Sequence, residues 1–214
     1  KRIGVHFNFA PVVDINTNPN NPIIGNRSFG EKKEAVTSRS LAFMEGMQGA
    51  GVLANAKHFP GHGDTDSDSH KTLPTINFSK ERIDSLELYP YKSLFLKGLS
   101  SVMVAHLNVP SLEARSNYPS SLSYPIVTEL LKEKLGFRGL IFTDALDMKG
   151  ASNFSNPGEV DLQAFLAGND VMLMSADISQ GITALQKAIE SGVISEKRLA
   201  HSVKKILSAK YKVG

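Results

Sequence analysis

The chain is 214 residues long with 41% hydrophobic content, a formal net charge of +3 and a pI near 9.0. That is enough chain for one sizeable core. Its cations are scattered among acids, which argues against nucleic acid as a partner; the absence of cysteine excludes disulfides and thiolate metal sites. No apolar stretch approaches the roughly 20 residues of a membrane-spanning helix, and nothing in the sequence chooses between cytoplasm and periplasm.

In chain order, short and nearly continuous apolar runs predict strands at residues 5–13, 52–58, 101–107, 140–143 and 170–174. Amphipathic stretches between them predict helices at 31–49, 80–99 (broken by Pro90), 125–135 and 159–166, followed by 181–190 and 196–211. Regular alternation of strand, loop and helix predicts repeated βα units and a parallel sheet covered by helices. Asp14, His58, His106 and Asp144 all fall at the C-terminal end of a predicted strand. Ionisable groups gathered at many strand ends mark the catalytic face of a (β/α)8 TIM barrel, whereas an open sheet concentrates them at one switch point. The expected fold class is therefore α/β of (β/α)8 type. A full barrel needs eight units and about 250 residues, so residues 1–214 are expected to be the C-terminal portion of a single barrel domain, an incomplete barrel of about five units.

Residues 57–70 carry three histidines and three aspartates on a glycine-punctuated loop. Asp64, Asp66 and Asp68 alternate as in a calcium loop, but Ser69 stands where that loop needs glycine and Thr75 where it needs glutamate. His58 and His62 have zinc-helix spacing, yet Pro60 and Gly61 between them forbid the helix. Asp68 and His70 remain as a carboxylate two residues before an imidazole, able to hold its tautomer and raise its proton affinity; a solvated polar loop is the alternative. Gly61 and Gly63 are expected to take positive φ and let the segment swing, with His62 as loop architecture. His106, closing an apolar strand, reads as a satisfied core histidine. In the run Gly139–Met148, Asp144 is the first polar group beyond a buried strand core and Asp147 the better candidate for a helix cap.

These residues resemble glycoside hydrolase family 3, and within it the bacterial β-N-acetylglucosaminidase branch. The resemblance rests on Lys57-His58-Phe59-Pro60-Gly61-His62-Gly63 followed by Asp68-Ser69-His70. It extends to Asn8-Phe9-Ala10-Pro11-Val12-Val13-Asp14, Asn26-Arg27-Ser28-Phe29-Gly30 and Phe142-Thr143-Asp144-Ala145-Leu146, in the family's order.

The resemblance implies a retaining glycosidase that removes terminal β-linked N-acetylglucosamine through a covalent intermediate, with no cofactor or metal. Asp144 is then the nucleophile and His70, oriented by Asp68, the acid and base. Arg27, Lys57 and His58 are similar to the family's sugar-binding residues. Asp14 is expected either to join them by accepting from a donor such as Arg27 or to sit in a buried pair. A histidine in place of the second carboxyl group of most retaining enzymes adds no negative charge beside the nucleophile. The substrate is a carbohydrate, either a peptidoglycan fragment, as the resemblance suggests, or a chitin or glycan end. A family relative acting on other β-glycosides and a non-catalytic sugar-binding fragment are the competing functions.

The family's Asp-Gln-Glu-Gly-Gly-Arg segment, which binds the sugar from an earlier strand, does not occur in this sequence. Residues 1–214 alone are therefore expected to be weakly active or inactive and to self-associate through open sheet edges.

Overall fold

A computed structural model describes residues 4–65 and 72–214. Five parallel strands, β1 (Phe7–Asn8), β2 (Leu53–Phe59), β3 (Ser101–Val104), β4 (Leu140–Ala145) and β5 (Val171–Leu173), lie side by side in chain order. No neighbour is out of sequence in this sheet, so it lacks the reversal of strand order that defines an open doubly wound sheet. The arrangement is that of an incomplete TIM barrel.

The crossovers are helical: α1 (Lys33–Gly49), α2 (Lys80–Ser85), α3 (Tyr89–Leu96), a π-wound helix at Pro125–Lys134, α4 (Lys149–Ser152) and α5 (Glu159–Ala167); α6 (Ile178–Glu190) and α7 (Glu196–Val213) follow β5. Side-chain oxygens of Ser79, Asp177 and Ser195 accept the backbone N–H three residues on and so start α2, α6 and α7. The predicted break at Pro90 falls just ahead of it: α2 stops at Ser85, and Pro90 sits in the first turn of α3, where its missing N–H costs nothing.

The first strand is shorter than the predicted 5–13. Pro11 offers no N–H, yet the chain continues beside β2 by other bonds. Asn55 and Lys57 donate their amides to the carbonyls of Ala10 (2.8 Å) and Pro11 (3.2 Å), and Val13 donates to Lys57 (2.8 Å).

Strand periodicity assigns the two faces of the sheet. Ala54, Ala56, Val102, Val104 and Ile141 pack outward against helix residues such as Met44, Leu94, Ile126 and Leu131. Leu53, Leu140 and Phe142 face the other way, with Phe7, Phe9 and Val171, where Ile206, Ala209 and Val213 of α7 meet them. The Phe142 ring lies edge-on to Phe7 and Phe9, with centroids 5.5 and 5.3 Å apart. Lys57 shares the parity of Leu53, and Asp144 that of Leu140 and Phe142. Both polar side chains therefore continue the concave face at the C-terminal end of their strands.

Candidate active site

Asp14 follows the segment that continues β1 and meets the C-terminal end of β2. It is 2% exposed and its carboxylate accepts the backbone N–H of His58 on both oxygens (3.1 and 3.2 Å), that of His62 (2.8 Å) and the His58 Nδ1 proton (2.7 Å). Burial works to raise the Asp14 carboxyl. The charge and hydrogen bonds of His58 and His62 outweigh it and hold the group below the ordinary carboxylate value. Asp14 thus takes its donors from the end of β2 and the loop after it rather than from Arg27. The His58 ring thus has Nδ1 on Asp14 and Nε2 3.5 Å from Arg27 Nη2. The imidazole stands between the two groups that were expected to meet.

Arg27 is brought there by a single 3-10 turn, Gly25–Arg27, whose flanks are pinned. Ser28 Oγ donates to the Asp14 carbonyl (2.6 Å), and Asn16 N–H donates to Gly30 (3.0 Å). Buried Asn21 ties the same segment to the loop after β2, donating to the His62 carbonyl (2.8 Å) and to Thr65 Oγ1 (3.3 Å). His62 packs its ring edge-on to His58 and places Nδ1 2.7 Å from Thr65 Oγ1.

The first half of that loop is therefore packed in place, and only one of its glycines behaves as expected. Gly61 has φ +141°, and a Cβ there would lie 2.6 Å from Glu87 Cγ. Gly63 does not take a positive φ. It is required because a Cβ would sit 2.0 Å from the Ile15 carbonyl oxygen. Asp64 is held by Arg82 (3.2 Å), which also grips Glu87 through one nitrogen (2.7 and 2.9 Å). Asp68 and His70 lie outside the described residues.

Asp144, partly buried, stands across the concave face, and Ala145 N–H donates to its Oδ1 at 2.9 Å. Burial alone would raise its carboxyl. The fields of His58, His106 and Lys57 and the Ala145 amide together hold it below the ordinary value, so it is ionised at neutral pH. Lys57 is pushed below the usual lysine range by burial and by Arg27, and the charges of Asp144 and Asp14 pull it back. Asp14, Lys57, His58, Arg27 and Asp144 thus come close enough for their charges to act on one another.

His106 is fully buried with both ring nitrogens engaged, by Ser121 Oγ (2.7 Å) and the Ala145 carbonyl (2.9 Å). It is the satisfied core histidine expected from the sequence. Asp147 does not cap a helix. The residue before α4 is Met148, which makes no side-chain cap, and Asp147 is exposed. Sequence reasoning missed Asn21, Thr65, Arg82 and Glu87; the only signal for them is a polar residue type inside or beside an apolar run, which does not reveal a partner such as Thr65 for Asn21, 44 positions away, or Asp64 for Arg82, 18 away.

The family model for the glycosyl hydrolase family 3 N-terminal domain matches residues 1–209. The chain belongs to glycoside hydrolase family 3. It is 38% identical over 230 residues to β-hexosaminidase A of Pseudoalteromonas piscicida, covering 99% of this chain and 38% of that protein. It is 29% identical over 222 residues to a β-N-acetylglucosaminidase/β-glucosidase of Cellulomonas fimi, covering 100% and 39%. A solved family 3 β-N-acetylglucosaminidase from Paenibacillus superposes with a TM-score of 0.95 at 42% identity, over 99% of this chain and 40% of that one. The chain spans well under half the length of these relatives.

Proposed function

We propose that residues 1–214 form the C-terminal portion of the barrel of a retaining β-N-acetylglucosaminidase. The observation that carries this reading is Asp144 at the C-terminal end of a parallel sheet within the fields of His58 and Lys57, with Arg27 beside His58. Asp144 attacks the anomeric carbon while His70, oriented by Asp68, gives its proton to the departing oxygen. Water then attacks the glycosyl ester, and the same histidine takes back a proton. Arg27 and Lys57 supply donors to sugar hydroxyl and acetamido oxygens. Asp14 acts one step behind, fixing His58 at both its amide and its ring.

The competing reading is a relative acting on β-glucosides, which the dual name of the Cellulomonas fimi protein keeps open. A panel of chromogenic β-glycosides given to the complete protein decides between them, and a 2-fluoro sugar followed by peptide mapping tests the nucleophile. Label on the peptide containing Asp144, with loss of hydrolysis in Asp144→Ala and His70→Ala, is expected. Label elsewhere, or unchanged turnover in both variants, would end this reading.

For residues 1–214 in isolation the proposal includes self-association. Among the described residues β1 pairs only with β2 and β5 only with β4, so each presents an unpaired edge. A monomeric sedimentation profile at micromolar concentration would contradict that part.

A further inference from the structure

β4 runs past its partner. The register of β3 against β4 ends with Val104 opposite Thr143, leaving Asp144 and Ala145 with no β3 residue alongside. The β3 chain turns its donors elsewhere: Ala105 N–H to the Phe59 carbonyl (2.9 Å) and Leu107 N–H to Ser120 Oγ (3.1 Å). On the other side the β4–β5 register shifts between Phe142 and Ala145, and Leu173 N–H donates to the Thr143 hydroxyl rather than to a carbonyl (2.9 Å). Toward β5 the ladder continues, with Ala145 opposite Leu173 and Leu146 N–H donating to the Leu173 carbonyl (2.8 Å), so the end of β4 lacks a strand neighbour on its β3 side alone.

The His106 imidazole takes the place of the missing β3 donor. A carbonyl oxygen only accepts, so the 2.9 Å approach to Ala145 puts the proton on Nε2, and Nδ1 accepts from the Ser121 hydroxyl at 2.7 Å. Burial, the largest influence, lowers the proton affinity of the ring and keeps it neutral in this tautomer. The support behind the ring is also fixed. The Ser121 carbonyl accepts from Asn169 Nδ2 (2.8 Å), and Ser120 brackets the β3 exit by donating its hydroxyl to Ala105 (2.6 Å) and its amide to Leu107 (2.8 Å). Ser120, Ser121 and His106 are each 0% exposed.

We propose that His106 is a positioning residue for the nucleophile. The imidazole fixes the carbonyl of Ala145, the amide of Ala145 fixes Oδ1 of Asp144, and Oδ2 is thereby the oxygen aimed at the anomeric carbon. This rests on the reading of Asp144 as nucleophile. A group that sets the approach of an attacking oxygen acts on the chemical step, because small misplacements of reacting atoms cost rate steeply while leaving ground-state binding almost untouched.

The test pairs two replacements in the complete enzyme. His106→Gln carries its amide nitrogen near the position of Nε2 and keeps a donor for Ala145. His106→Asn reaches only the position of Nδ1 and keeps the Ser121 partner alone. Both variants are expected to melt lower than wild type. His106→Gln should keep kcat within about threefold, whereas His106→Asn should lower it by about 30-fold, with KM little changed and labelling of Asp144 by a 2-fluoro sugar slowed in proportion. Equal kcat in the two variants, or a His106→Asn enzyme altered only in Tm, overturns the proposal. Should His106→Asn fail to fold, Ser121→Ala, which frees the ring to turn, is expected to lower kcat in the same direction with KM unchanged, and an unchanged kcat there overturns it as well. If Asp144→Ala retains turnover, the nucleophile assignment itself falls and takes this proposal with it; if Asp144→Ala is inactive and the His106 pair are alike, only the positioning role fails.

Discussion

Asp14 shows how the candidate site is held by a residue that the sequence places there without revealing its duty. Its position at a strand end was legible, since a carboxylate after Val12-Val13 stands out. Its partners were not, because His58 and His62 lie 44 and 48 positions away and bind mainly through backbone N–H groups that every residue carries. Replacing Asp14 by alanine removes the acceptor that serves two buried amides and an imidazole N–H. Such a change is expected to cost about 3 kcal/mol in urea unfolding and to abolish turnover, with the stability loss the larger clue to its role. Acid should act through the same neighbourhood. His62 and His106 are both held by burial below the ordinary histidine value of 6.5. Below about pH 6.5 the unfolded chain binds protons that the folded ring refuses, so stability is full above that value and falls as the pH drops toward the folded values. The depressed carboxyls of Asp14 and Asp144 add a second loss, beginning only below about pH 4. Tm measured from pH 8 to pH 5 should therefore decline, and less steeply in His106→Gln than in wild type; parallel curves would show that the buried ring does not drive the decline.

At the level of elements, all five strands and the major helices were readable from apolar runs and helical spacing, because burial on both faces of a parallel strand and on one face of a helix leaves a compositional imprint. The edges were less readable. β1 is interrupted where Pro11 has no amide to give, and α4 follows no capping signal. Glycines were the least readable, since the same residue serves opposite needs. Gly63 is enclosed by the backbone of Ile15, whereas Gly46, inside α1, would meet nothing within 4 Å. Gly63→Ala is expected to destabilise by about 3 kcal/mol and to lower activity, because the loop after β2 must retreat from Ile15. Gly46→Ala should instead stabilise by about 0.5–1 kcal/mol by favouring the helix. Chemical unfolding of both variants checks the contrast; a tolerated alanine at position 63 would mean that this loop is not locked against the Ile15 backbone.

Across the whole molecule, β4 links the two ends of the sheet. Its C-terminal end presents Asp144, and near its start the Ile141 amide donates to Asp170 Oδ2 at 3.0 Å. Asp170 is the anchor of α7: it accepts from Ser202 Oγ (2.5 Å), pairs with Lys205 and lies 3.9 Å from Arg198, whose guanidinium also donates to the Asn169 carbonyl at 2.7 Å and covers the Phe165 ring. This polar clasp seats Ile206, Ala209 and Val213 over Leu53, Leu140 and Phe142, the apolar floor of the concave face. The Asp170 side chain is 0% exposed, so truncating it strands a partly buried lysine and a backbone amide with no partner. Asp170→Ala is expected to cost about 3–5 kcal/mol and to release α7 first, since the helix keeps only its apolar stripe and the Arg198 contacts at its first turn as a hold. Hydrogen exchange should then rise across residues 196–213 while α1 keeps its protection. A uniform rise over both helices would mean instead that α7 and the sheet unfold as a single unit, with Asp170 stabilising the whole rather than docking one element.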